Sequence, residues 1–206
     1  MRESYANEPG AKRSAVFLDR DGVVNELVFD PRSGRSESPL RPEDVRLLPG
    51  VSEATRRLRQ AGYVLVGVTN QPAAAKGVLT VAELVSVHAR VVSLLADDGV
   101  VFDDWRLCLH HPDGTVPGLT QVCTCRKPAP GMLLAAAGEL DLDLVGSWMV
   151  GDTDRDVEAG RAARCRTVLI EQSASAHKRS GSASPDRRAA NLAQAAAIIT
   201  GDEEAG

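Results

Sequence analysis

The sequence predicts an α/β protein, a Rossmann-like three-layer α/β/α sandwich built on a mostly parallel sheet. Three observations predict it. Short runs of bulky apolar residues recur along the 206-residue chain and read as strands buried on both faces. Amphipathic helical stretches separate the runs. The runs end in polar or acidic residues, Asp19-Arg-Asp21, Thr69-Asn70, Cys108-Leu-His110 and Gly151-Asp152, at the carboxyl ends where parallel sheets bind ligands.

Taken in order, residues 1–13 carry no periodic pattern and read as a flexible leader. A first strand covers 14–19. Residues 30–49, rich in Pro, Arg, Ser and Glu, read as a surface loop. Apolar positions at Val51, Ala54 and Leu58, closed by Gly62, predict a helix over 51–60. A second strand at 63–68 runs into Thr69-Asn70. Thr80, with Glu83 three residues on, caps a helix to about residue 97. The third strand, 105–109, opens a Cys/His-rich loop to Pro130. Helix 131–140, strand 147–150, helix 154–163 and strand 166–170 follow. Residues 172–187 read as a Ser/Ala/basic linker, and 188–199 as a final helix. The expected organisation is a leader (1–13), one catalytic domain (14–171) with its metal loop at about 108–125, and a linker with a C-terminal helix and short tail (172–206).

Composition excludes several classes. The chain is 43% hydrophobic but only 3% aromatic, so its core is mostly Val, Leu and Ala. Twenty-four basic against twenty-eight acidic residues give a net charge of −4, which argues against a broad nucleic-acid face. No apolar run approaches the ~20 residues that a bilayer requires. Residues 1–14 lack the apolar centre of a signal peptide. The expectation is a soluble cytoplasmic protein without nucleic-acid or membrane partners. In a reducing compartment its four cysteines are ligands or packed thiols rather than a disulfide framework.

The strand ends carry the chemistry. Asp19 and Asp21 lie two apart, so both carboxyls can face one pocket. Such a pair divides labour, one acid staying ionised while the other carries a proton; an acidic turn is the plain alternative. Gly151-Asp152-Thr-Asp-Arg-Asp156 brings further carboxylates to the same edge. Three or four of them together require a divalent cation, and oxygen-only ligands suggest Mg²⁺. Thr69 and Asn70 offer a hydroxyl, an amide and backbone N–H groups, and Lys127 offers a compensating charge. Together these groups suit phosphoryl transfer through a carboxylate nucleophile.

Cys108-x-His110 and Cys123-x-Cys125 place four soft ligands within eighteen positions. Cys₃His is a usual tetrahedral zinc set, and four protein ligands leave no open position, so such a zinc would be structural. Two buried thiols beside a surface His110-His111 pair are the alternative.

Over about residues 14–170 the chain resembles the haloacid dehalogenase superfamily of phosphatases. Its four motifs occur in order: Phe17-Leu-Asp-Arg-Asp-Gly-Val-Val-Asn25, Val68-Thr69-Asn70, Lys127-Pro128 and Gly151-Asp152-Thr-Asp-Arg-Asp156. The resemblance implies that Asp19 forms an aspartyl-phosphate. It implies that Asp21 protonates the leaving oxygen and then activates water. Asp19, the Asp21 carbonyl and Asp152 would hold Mg²⁺, and Thr69 and Lys127 would bind the phosphoryl group. Asp156 would orient Lys127 or a metal-bound water.

The zinc loop is similar to that of the branch holding D-glycero-D-manno-heptose 1,7-bisphosphate and histidinol-phosphate phosphatases, which lacks large cap domains. The long spacing between its ligand pairs favours the sugar bisphosphate, with histidinol phosphate or another small phosphomonoester as the alternative. A zinc-stabilised module that only binds sugar phosphates is the non-enzyme alternative. Within the branch Asn70 and Gln71 match positions near the sugar, and Arg126 is expected to contact a second phosphate. Pro72-Ala-Ala-Ala-Lys76-Gly77 departs from the usual pattern, as does the Arg-bearing stretch 30–42. The branch also implies a monomer.

Overall fold

The computed structural model describes residues 12–31 and 33–202. The expected leader therefore falls, apart from Lys12 and Arg13, outside the described residues, and Arg32 of the 30–42 stretch does too. In chain order the strands and α-helices are β1 (Arg13–Leu18), β2 (Val28–Asp30), β3 (Arg35–Glu37), α1 (Val51–Gln60), β4 (Val64–Asn70), α2 (Val81–Asp97), β5 (Asp104–Cys108), α3 (Gly131–Leu140), β6 (Leu142–Gly151), α4 (Asp154–Ala162), β7 (Arg166–Ile170), β8 (Arg187–Ala189) and α5 (Leu192–Thr200). Six of the strands form one sheet in the order β5-β4-β1-β6-β7-β8, every neighbouring pair parallel. The antiparallel pair β2–β3 stands apart from it.

The period of two along each strand divides the core into two layers. Ala15 and Phe17 of β1, with Val64, Val66 and Val68 of β4 and Met149 of β6, pack against Met132, Leu133 and Ala136 of α3 and Ala159 of α4. Val16 and Leu18, with Leu65, Trp148 and Val150, face Leu58 of α1, Val91 of α2 and Ala195 of α5. A side chain as fully buried as Leu58 stabilises by about 1.5–3 kcal/mol. Gly67 is dictated by this packing: a Cβ there would lie 2.0 Å from Cε3 of Trp105.

Register fixes where the chemistry emerges. Leu18 pairs with Gly67 on one side and Val150 on the other. Asp19, Thr69 and Asp152 therefore leave the sheet at one edge, and the Asp19 N–H donates to the Val150 carbonyl at 3.0 Å. Strand order reverses around β1, which opens the crevice used by doubly wound sheets.

The C-terminal region differs from expectation. The stretch 172–187, read as a solvated linker, carries a 3₁₀ turn at Ser173–Lys178 and enters β8, a sixth strand beside β7. Asp186 anchors it by accepting from the Thr167 N–H and hydroxyl, both at 2.8 Å. Arg187-Arg-Ala189 is too short and too charged to show strand periodicity. The last helix begins at Leu192 rather than 188, because Asn191 caps it by accepting from the Gln194 N–H. The 30–49 loop likewise begins at the end of β2 and holds β3 and a 3₁₀ turn at Pro42–Asp44.

Candidate active site

At the carboxyl edge a cleft of about 440 Å³ is floored by Asp19, Thr69, Lys127, Asp152 and Asp156. Lys127 is 2% exposed. Its ammonium lies 2.8 Å from an Asp19 oxygen and 2.6 Å from an Asp156 oxygen, and it donates to the Val68 carbonyl at 2.7 Å. Burial would lower its pKa, but the carboxylates of Asp156 and Asp19 outweigh that and hold it charged, above its ordinary value.

Asn70, expected near the sugar, spends its side chain elsewhere. Its amide donates to the Lys127 carbonyl at 2.9 Å and its oxygen accepts from the Lys127 N–H at 3.0 Å. Asn70 therefore holds the Lys127 backbone at the end of β4. Gln71 also turns inward, donating to Asp21 at 2.6 Å and to the Thr69 hydroxyl at 2.9 Å.

The carboxylates fall into two groups. Asp19, Asp152 and Asp156 present oxygens within 4.8 Å of one another. Both Asp152 oxygens are buried without a hydrogen-bond partner among the described residues. Burial, then the charges of Asp19 and Asp156, push Asp152 up to about 8. Burial pushes Asp19 up to about 6 against the opposing pull of Lys127. A cradle of hard oxygen donors that resist shared ionisation, with both Asp152 oxygens unpartnered, fits a small divalent cation. Asp156 fits the ligand role less well. One of its oxygens meets Lys127, and the other accepts from the Thr153 N–H and hydroxyl at the start of α4.

Asp21 stands in the second group. Its carboxylate accepts from the Arg20 guanidinium at 3.2 and 3.0 Å, from Asn25 at 2.9 Å, and from Gln71. Burial would raise it, but Arg20 and hydrogen bonds from Asn25, Gln71 and Ser38 reverse the effect and hold it below the usual range. Arg20 itself is fully buried. The first motif contains Arg20 and Asn25, yet their place around Asp21 was not legible, because the neighbouring loop had no readable structure.

The Cys/His loop closes into a cluster. Cys108, Cys123 and Cys125 have sulfur separations of 3.2–3.6 Å, and Nδ1 of His110 lies 3.4 Å from Cys125 and 3.9 Å from Cys108. These are too long for a disulfide, whose sulfurs sit ~2.05 Å apart. They approach the ~3.7 Å edges of a tetrahedron with ~2.3 Å metal–sulfur bonds. The donor set therefore fits zinc. His111 stays outside, its Nδ1 accepting from the Asp113 N–H. The Arg126 guanidinium donates to the His110 carbonyl at 3.2 Å. The tip of the loop rests on the atypical 72–77 segment, where the Thr115 and Val116 N–H groups both donate to the Ala75 carbonyl.

The two atypical segments noted in the sequence do reach the cleft wall, with Arg35 from the 30–42 stretch and Lys76 from 72–77. Sequence reasoning missed the rest of that wall: Glu37 and Ser38 from β3 and the residue after it, Arg155 from α4, and His177 and Lys178 from the supposed linker. Lys178 pairs with Glu37 at 3.0 Å. The Ser175 hydroxyl and Arg179 bind the Asp152 carbonyl from beneath. Among the missed residues, Arg155 stood in the quoted fourth motif, which was a usable signal.

A buried carboxylate pressed against a charged lysine at the end of a central parallel strand defines a class, the phosphoryl-transfer hydrolases of haloacid dehalogenase type. Residues 124–195 match the family described as HAD-hydrolase-like. The D-glycero-beta-D-manno-heptose-1,7-bisphosphate 7-phosphatase of Yersinia pestis is 38% identical over 175 residues, 84% of this chain and 87% of its own length. That of Escherichia coli K12 is 39% identical over 159 residues, 76% of this chain and 78% of its own length. The crystal structure of D,D-heptose 1,7-bisphosphate phosphatase from B. bronchiseptica, complexed with magnesium and phosphate, superposes with a TM-score of 0.75 at 33% identity, covering 92% of this chain and 99% of that one. The chain belongs to this heptose-bisphosphate phosphatase family of haloacid dehalogenase-like hydrolases.

Proposed function

We propose that the protein is a Mg²⁺-dependent phosphatase that removes the C7 phosphate of D-glycero-D-manno-heptose 1,7-bisphosphate through an aspartyl-phosphate on Asp19. The observation that carries the reading is the buried Asp19–Lys127–Asp156 ion triad, set beside the unpartnered carboxylate of Asp152. An Asp19 oxygen forms a bond to phosphorus as the bond to the sugar oxygen breaks, and Asp21 gives that oxygen its proton. Water, deprotonated by Asp21, then attacks the same phosphorus and releases Asp19 and inorganic phosphate. Asp21, ionised against Arg20, stands in the form the second half needs. The first half requires a proton on it and a turn away from Arg20.

Thr69 and Lys127 bind the phosphoryl oxygens, and Arg126 contacts the second phosphate. Gln71 acts near the sugar through Asp21 and Thr69, while Asn70 and Asp156 keep Lys127 in position. Mg²⁺, held by Asp19, Asp152 and the Asp21 carbonyl, would offset the phosphoryl charge. A structural Zn²⁺ on Cys108, His110, Cys123 and Cys125 would fix the loop that ends in Arg126-Lys127. We extend the catalytic domain, expected over 14–171, through β8 and α5. We place the enzyme in the cytoplasm as a monomer; no helix among the described residues is long and apolar enough to cross a membrane.

The test is phosphate release in Mg²⁺ from heptose 1,7-bisphosphate and from histidinol phosphate, with Asp19→Asn as control. Strong preference for the bisphosphate supports the reading. Preference for histidinol phosphate overturns the substrate, and full activity of Asp19→Asn overturns the nucleophile.

A further inference from the structure

We propose that Arg155, together with Arg126, forms a two-guanidinium clamp for the phosphate that is not hydrolysed. This rests on the sugar-bisphosphate reading and assigns it a specificity residue outside the catalytic set.

From Lys127 a second cleft of about 360 Å³ runs outward between the metal loop and α4. His111, Arg126, Lys127 and Arg155 line it, with Asp113 as its single carboxylate. Arg126 and Arg155 also border the main cleft. A ligand held at Lys127 and extending this way therefore meets both guanidiniums. Neither has an ion-pair partner among the described residues. Among the described residues the Arg126 guanidinium donates only to the His110 carbonyl, and the exposed Arg155 side chain has no hydrogen bond. Both guanidiniums therefore border the same two clefts beside Lys127.

The placement of Arg155 points the same way. It is the second residue of α4, in the first turn, where a positive charge opposes the helix dipole. Its neighbours Asp154 and Asp156 are buried, the first taken by Ser180 and Gly181 and the second by Lys127 and Thr153. Among the described residues no side chain pairs with Arg155. A phosphate dianion is the partner its chemistry fits, because two planar forks can share the oxygens of one tetrahedral group. The other unpaired basic groups on the main cleft, Arg35 and Lys76, come from β3 and the 72–77 segment and line the main cleft but not this second one.

The experiment uses the full chain carrying Asp19→Asn, so that ligands bind without turnover. Calorimetry gives Kd for two matched pairs: heptose 1,7-bisphosphate against heptose 7-phosphate, and fructose 1,6-bisphosphate against fructose 6-phosphate. The quantity read is the affinity advantage of each bisphosphate over its monophosphate. Adding Arg155→Gln should cut that advantage about ten-fold or more, one lost charge-assisted contact, and Arg126→Gln should do the same. An advantage that survives Arg155→Gln, or that falls instead with Arg35→Gln or Lys76→Gln, overturns the clamp. So does the absence of any bisphosphate advantage before Arg155 is changed. If the advantage appears only in the fructose pair and depends on Arg155, the clamp stands and the heptose assignment falls.

Discussion

The two clusters of ligating side chains meet at Lys127 but are built on opposite terms. The carboxylate cluster sits on strand ends inside a parallel sheet, is buried, and leaves the oxygens of Asp152 unpartnered. The Cys/His cluster joins the buried Cys108 at the end of β5 to three partly buried residues of the loop after it, and its four donors face each other at near-tetrahedral separations. The difference teaches which region supplies position and which supplies order. The sheet would hold Asp19 and Asp152 in place without any ion, because β1 and β6 pair continuously from Val16 and Trp148 to Leu18 and Val150, up to the site. The loop between β5 and α3 has little apolar core of its own. Its order would come from a metal on the four Cys/His donors and from the Ala75 contacts.

The largest expected effect breaks the first cluster alone. Asp19→Asn should lower turnover by at least about 10³-fold while leaving the melting temperature within a few degrees, read by steady-state kinetics and calorimetry on the same sample. Loss of the fold would mean that the carboxylate centre is structural. Breaking the second cluster should do the reverse in order. Cys123→Ser should take bound zinc from about one equivalent to near zero, by elemental analysis, and lower the melting temperature by roughly 10 °C or more. Activity would fall only as a consequence, through Lys127. Unchanged metal content would remove the zinc assignment.

The link between the clusters can be cut separately. Asn70→Ala removes both hydrogen bonds to the Lys127 backbone and should cost about 10–100-fold in kcat with zinc content intact. A rise in KM alone would restore Asn70 to the substrate. The fold supplies a smaller, purely structural comparison. Gly67→Ala collides with Trp105 and should destabilise by about 1–3 kcal/mol in urea unfolding, wherever the metals stand.

The smallest effect is a pH dependence. Burial, and then the charge of Arg20, depress His88 to about 4, with Asp21 opposing. In the unfolded chain it would take its proton near the ordinary value of 6.5. The unfolded state therefore binds more protons between those values, and stability declines as pH falls from about 6.5 toward 4. His88→Gln should flatten that part of the profile, and an unchanged slope would assign the acid sensitivity to other groups.

How much of this was legible follows from what each signal depends on. Buried strands and their polar ends are local patterns, so β1, β4 and the Asp152 corner could be read directly. The ligand spacing of Cys108, His110, Cys123 and Cys125 was equally local. β8 was not, since three residues with two arginines form a strand only because β7 offers an unpaired edge and Asp186 fixes the approach. The wall of the cleft was hidden for the same reason. Lys178 reaches it through Glu37, some 140 positions earlier, and no periodicity encodes a contact of that kind. Asn70 shows a subtler limit: its position at the site could be inferred, but its partner was the backbone of Lys127.

The rest of the metal loop on Ala75 has a consequence for how such an enzyme can change. Lengthening a tethered loop is cheap, only about 0.6 kcal/mol for each doubling, and the four ligands would keep any added residues between His110 and Cys123 from disturbing Lys127. Yet the tip of that segment is docked on the backbone of 72–77, and Gly114 approaches the Ala75 carbonyl so closely that a Cβ would stand 2.7 Å from it. The two segments are therefore coupled at that joint. A length change that shifts one without the other leaves a mismatched joint over an intact catalytic floor.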